Sequence, residues 1–86
     1  MAEDVAPASY ELIRVAGDGE GAAGWTKVVA VMPNGSRREA CQFPNLYEAR
    51  GFVRSLGFVY FIRGERGVLH ATKHRGAVLD PKAVQA

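Results

Sequence analysis

Residues 44–62, from Pro44 to Ile62, read PNLYEARGFVRSLGFVYFI, and this stretch decides the fold. It reads as an amphipathic helix followed at once by the most apolar run in the chain. Asn45 is a good N-cap, and Glu48 sits three residues on, where its carboxylate can reach back to the cap amide. Leu46, Ala49, Val53 and Leu56 recur at spacings of three and four and share a face. With Phe52 they fill an apolar arc of roughly 120° on a wheel of 3.6 residues per turn. Gly57 follows, suited to the left-handed position just past a helix end. Gly51 falls on the solvent side of the wheel and costs about 1 kcal/mol relative to alanine.

Only Gly57 separates this helix from Phe58–Ile62, FVYFI. Five apolar residues without alternation read as a strand covered on both faces, or central in its sheet. So short a link turns the helix back antiparallel to the strand, making the two the layers of one core.

Working outward, Met1–Ala8 is acidic, contains Pro7 and reads as a mobile tail. Ser9–Ala16, SYELIRVA, alternates poorly, yet Leu12, Ile13 and Val15 support a strand. Gly17–Gly24, GDGEGAAG, is a loop on glycine content. Its Gly19, Gly21 and Gly24 match the dinucleotide-binding spacing, but that motif needs a helix N-terminus next. Trp25–Met32, WTKVVAVM, is β-branched instead and reads as a strand, and Asp18 and Glu20 would repel phosphate. A hairpin loop is the favoured reading.

Pro33-Asn34-Gly35 then signals a tight turn into a strand over Ser36–Phe43, SRREACQF. A loop of two or three residues fits equally, and a one-residue slip exchanges the faces. With a two-residue loop, Val28, Ala30, Met32, Cys41 and Phe43 share one face and form a core set. Beyond Ile62, Arg63–Gly67 is a charged glycine turn, and Val68–Lys73, VLHATK, is a hairpin partner for Phe58–Ile62. Asp80-Pro81 is an N-cap and N1 pair, consistent with a short C-terminal turn over residues 80–86. The order is β-β-β-α-β-β: one α+β domain over residues 9–79, with a mixed or antiparallel sheet and the helix on one face. The connection through the helix has the length of a right-handed crossover.

Eighty-six residues make one domain able to bury a core without a staple. Cys41 is the only cysteine, so no internal disulfide forms. With no basic leader before an apolar run, this points to a reducing, cytoplasmic setting. The longest apolar run is far short of a membrane span, so no membrane partner is expected. The net charge of +2 is uneven: −4 over residues 1–21 and +6 over residues 22–86. Such asymmetry raises the prior for an anionic partner.

Little in the chain carries chemistry. Cys41 with His70 or His74 lacks an elbow, an oxyanion loop or a positioned carboxylate, and reads as a small buried residue. His70 and His74 lie about 13 Å apart on an extended strand and cannot share an ion. Among the acids, Glu39, Glu48 and Glu65 read as surface or cap residues, and no carboxylate pair sits in a rigid frame. The expectation is no enzyme, no metal and no small-molecule cofactor.

The basic residues are the remaining signal. Arg63, Arg66, Lys73, His74 and Arg75 surround one expected hairpin, and Arg37 and Arg38 follow the Asn34-Gly35 turn. Arg50 and Arg54 are one helical turn apart and flank Tyr47. Arginine forks bind carboxylate or phosphate at two points. Two readings follow. The first is a non-catalytic binding module of regulator, adaptor or inhibitor type, acting through edge strands and outward arginines on a protein partner or a second copy of itself. The alternative is nucleic-acid binding through the basic hairpin and helix flank, with Trp25, Tyr47 and Tyr60 as stacking candidates. The aromatic RNP pattern, the GXXG clamp and zinc-knuckle spacings are all absent.

Overall fold

The computed structural model describes residues 6–17 and 24–75. The start of the acidic tail, most of the Gly17–Gly24 loop and the Asp80–Gln85 turn lie outside the described residues. Five strands and one helix follow in the expected order: β1 (Ser9–Val15), β2 (Trp25–Val31), β3 (Arg37–Phe43), α1 (Leu46–Ser55), β4 (Tyr60–Arg63) and β5 (Leu69–Thr72). A strand, not a helix, begins directly after Gly24, so the helix N-terminus that the dinucleotide-like spacing requires is absent.

The strands form one antiparallel sheet in the order β3-β2-β1-β5-β4. β1 is central, and β3 and β4 are the two edges. These edge strands run in the same direction, so the segment carrying α1 crosses the whole sheet between them.

Cross-strand partners share a face. Tyr10 pairs with Ala30 and Ala71, and Leu12 with Val28 and Leu69. These residues face α1, whose Ala49 and Val53 are buried against them, with Phe58 completing the core. The opposite face carries Glu11, Ile13, Val29, Val31, His70 and Ile62, and no helix of the described residues packs on it.

The turn between β2 and β3 resolves the open question of register. Met32 N–H donates to Ser36 C=O at 2.8 Å and Gly35 N–H to Met32 C=O at 2.8 Å, so the loop is the three residues Pro33-Asn34-Gly35. Gly35 takes a positive φ of 91°, which glycine adopts without strain. Continued straight, this register would place Phe43 opposite Trp25, on the face away from α1. It is not continued: Val29 pairs with Glu39 but Val28 with Cys41, so Ala40 is an extra residue in a β-bulge. The bulge returns Cys41 and Phe43 to the helix side, where the Phe43 ring lies 5.3 Å from that of Phe52. The core set expected from a two-residue loop is thus assembled by a three-residue loop plus one bulge.

α1 starts and stops as its residues dictate. Asn45 Oδ1 accepts from Glu48 N–H at 2.8 Å, satisfying one orphan donor of the first turn. The reciprocal reach of the Glu48 carboxylate to the cap amide is not made. At the other end Gly57 has φ 98°; its N–H donates to Arg54 C=O at 2.9 Å and Phe58 N–H to Val53 C=O at 3.0 Å. That pair of bonds, with both Phe58 and Val53 in the core, is a Schellman stop.

Two expectations are corrected. Leu56 is the cap residue rather than part of the stripe and is largely exposed, because the helix ends one residue earlier. Phe58–Ile62 is not a central strand covered on both faces. Phe58, 2% exposed, belongs to the helix stop; β4 begins at Tyr60 and is an edge strand. Its run is continuously apolar for three separate reasons: Phe58 plugs the core, Phe61 packs on the helix side, and Val59, Tyr60 and Ile62 are exposed at 45%, 40% and 37%.

One buried group is left unmatched. Thr26 is fully buried on the helix side, and its Oγ1 has no hydrogen-bond partner among the described residues. Burying a lone hydroxyl costs about 1–3 kcal/mol. Thr26→Val keeps the branched shape and is expected to stabilise the fold by about 1 kcal/mol, read as a higher urea midpoint with an unchanged slope.

Candidate functional site

The ten residues singled out from the sequence do not form one patch. In the β4–β5 hairpin, Tyr60 pairs with Thr72 and Arg63 with Leu69, so Arg63 and Arg66 sit at the turn end and Lys73, His74 and Arg75 at the other. A four-residue strand separates the two sets by about 13 Å. Arg37 and Arg38 point to opposite faces, opposite Val31 and Ala30 respectively. Three clusters result.

The first is on the open face. Glu11 in β1 has a side chain only 7% exposed, and Arg37 Nη2 donates to its Oε2 at 2.8 Å. His70 Nδ1 lies 3.8 Å from the same oxygen, and Gly64, Glu65, Arg66 and Val68 complete the rim. Gly64 packs closely there: a Cβ would stand 2.6 Å from His70 Nε2 and would turn the imidazole aside. Arg66 sits at φ 60°, a left-handed conformation inside the tight turn that joins Val68 N–H to Glu65 C=O at 3.1 Å. Arg37 is therefore neutralised by a buried carboxylate. Glu11 drew no notice in the sequence, because a single acid in a weakly patterned strand reads as surface.

The second cluster is at the helix end of the hairpin. Lys73 Nζ lies 5.1 Å from the Phe58 ring centroid, and Thr72 Oγ1 donates to His74 C=O at 3.2 Å. The lysine covers the rim of the core.

The third is a shallow groove lined by Tyr47, Glu48, Arg50, Gly51, Arg54, Ser55 and Val59. Tyr47 is 84% exposed, and the Arg50 guanidinium stands 5.0 Å over the Phe61 ring. Arg50 and Arg54 line this groove together with Tyr47. A Cβ on Gly51 meets nothing within 4 Å. Gly51→Ala is therefore expected to raise stability by about 1 kcal/mol, seen as an increase in Tm.

Beside this groove runs the β4 edge. Gly64 N–H donates to Val68 C=O at 2.7 Å, and ladder alternation then turns the backbone groups of Ile62 and Tyr60 towards β5. Those of Phe61 and Arg63 point outward, and no strand among the described residues pairs with them. The opposite edge, β3, is broken by the Ala40 bulge and carries Arg37, Arg38 and Glu39, devices that discourage strand addition. β4 has neither bulge nor internal charge. Val59 and Ile62 were not singled out from the sequence, because exposure on an edge depends on strand order, which no local pattern encodes.

Cys41 and His70 lie on opposite faces of the sheet, opposite Val28 and Glu11 respectively, and do not converge. Among the described residues no group of three or more His, Cys, Asp or Glu side chains is placed to hold a metal ion, and no helix is long and apolar enough to cross a membrane. Burial pushes the Cys41 thiol up, and it pushes the Tyr10 hydroxyl up with a smaller contribution from Cys41. Both groups are neutral when protonated, so the folded state holds these protons more tightly than the unfolded chain. Their stabilisation is complete below the unfolded values and is lost as pH rises through the folded ones. Urea midpoints are expected to fall above about pH 9–10, and Tyr10→Phe should remove the tyrosine's share of that fall.

Comparison with protein-family models, with curated proteins and with solved structures finds no match.

Proposed function

We propose that this protein is a non-catalytic binding module that engages a protein partner along β4. The observation that carries the reading is the edge itself: Tyr60 and Ile62 are exposed on a strand, with Val59 exposed just before it, and among the described residues nothing pairs with the strand's outward amides and carbonyls. Main-chain pairing there supplies affinity, and the alternating side chains supply selectivity. The arginines beside the edge suit an acidic counterpart.

The distribution of charge favours protein over nucleic acid. Arg37 is engaged by Glu11, Lys73 lies over Phe58, and the other cations of the described residues are scattered: Arg14, Lys27 and Arg38 stand on β1, β2 and β3, and the rest are divided between the two ends of the hairpin and the helix flank. Phosphate backbones are usually met by a continuous basic track.

The test is capture of binding partners from the native host on immobilised protein, with and without nuclease. Ile62→Lys, which puts a charge on the edge, serves as the control. Capture that survives nuclease and is lost in Ile62→Lys supports the reading. Capture that nuclease abolishes, or that Ile62→Lys leaves intact, refutes it.

A further inference from the structure

The two sides of the β4 edge differ chemically, and the difference specifies what would pair with it. On the open side stand Tyr60 and Ile62, both exposed and apolar. On the helix side stand Phe61, with the Arg50 guanidinium over its ring at 5.0 Å, and Arg63. Arg54 lines the adjoining groove, where the only acid is Glu48. Among the described residues no carboxylate lies within 4 Å of Arg50, Arg54 or Arg63. A strand alternates its side chains between faces. An added strand therefore meets cations with one set of alternate residues and apolar surface with the other.

We infer that β4 takes an extended segment of another protein in which acidic residues alternate with apolar ones, an inference that rests on the reading of β4 as the binding edge. The acidic positions fall opposite Phe61 and Arg63, within reach of Arg50 and Arg63. The apolar positions fall opposite Tyr60 and Ile62. The ring of Phe61 holds the Arg50 guanidinium in place, so little rotamer freedom is lost on pairing.

A second copy of this chain fits less well. Antiparallel pairing of β4 with itself that uses the outward groups of both Phe61 and Arg63 sets Ile62 on the two-fold axis, and so brings each Arg63 opposite the other copy's Phe61, beside the Arg50 guanidinium held over that ring. Like charges at such a junction repel.

The experiment is fluorescence anisotropy with three short labelled peptides: one alternating glutamate and valine, one alternating lysine and valine, and the glutamate peptide N-methylated on the amides that would face β4. Two exposed charge pairs correspond to about a tenfold preference. The glutamate peptide is expected to bind about tenfold tighter than the lysine peptide, to lose binding on N-methylation, and to lose the preference with the Arg50→Ala/Arg63→Ala double variant, whose helix content by circular dichroism stays unchanged. Equal or reversed affinity of the two unmethylated peptides, with the glutamate peptide still sensitive to N-methylation, overturns the acidic specificity and leaves the edge reading standing. No peptide binding together with a dimer in sedimentation overturns it in favour of self-pairing. Binding indifferent to N-methylation, or no binding by a monomer, overturns both the inference and the edge reading.

Discussion

Replacing Leu12 by alanine is expected to destabilise the fold by about 3–4 kcal/mol. Leu12 lies in the central strand and is fully buried; Val28 flanks it on one side and Leu69 on the other, with α1 above. Two flanking strands and a helix hold the surroundings in place, so they relax little into the cavity, and the cost falls towards the upper part of the range for such truncations. Set against a total of about 5–10 kcal/mol for a small domain, the change removes a third or more of the stability. The urea midpoint should fall by roughly 2 M with little change in slope. Ile13, the next residue, points to the open face and is only half-buried. Ile13→Ala is expected to cost less than half as much. Equal costs for the two would mean that the sheet has a second covered face, which contradicts the one-helix architecture.

Phe58→Ala carries the second large expected effect, about 3–5 kcal/mol. The ring is almost wholly buried and meets Tyr10 edge-on, with centroids 4.8 Å apart and planes at 87°. Its backbone N–H closes the helix stop at Val53, and Lys73 caps it from outside. One side chain thus joins the end of α1, the central strand and the end of β5. A double-mutant cycle between Phe58→Leu and Tyr10→Leu is expected to give a coupling of about 0.5–1.5 kcal/mol, the contribution of an edge-to-face pair beyond burial. A coupling near zero would show that the ring contributes area alone.

These two residues also show what could be read from the sequence. The helix was legible at both ends, because Asn45 and Gly57 act on backbone groups within a few residues of themselves. The β2–β3 turn was legible for the same reason. Its register was not: the bulge at Ala40 exists to bring Phe43 to Phe52, a demand from a different element that a local count of loop residues cannot contain. Phe58 was placed in a strand because an apolar residue at the exit of a helix and one at the start of a strand look alike when nothing separates them. The edge position of β4 followed the same logic, since strand order is set by long-range pairing. The basic residues can be named from the sequence, but the groups they meet cannot. Arg37 reaches back to Glu11 and Arg50 reaches forward to Phe61, and neither distance in the chain suggests the meeting. What the sequence could supply was a set of cations; which of them remain available to a partner is a property of the fold.

The position of β1 at the middle of the sheet has a kinetic consequence. Its partner on one side, β2, follows closely in the chain, but Tyr10 meets Ala71 of β5 across 61 positions of sequence. Closing so long a loop costs entropy before any burial compensates, and domains dominated by such distant pairings fold on the millisecond-to-second scale. Until β5 arrives, Leu12 and Tyr10 present one flank of an incomplete sheet to whatever is nearby. The three-stranded meander β1–β3 is therefore the species most exposed to intermolecular association while the molecule is being made, and refolding yield should drop with protein concentration sooner than equilibrium stability alone would suggest.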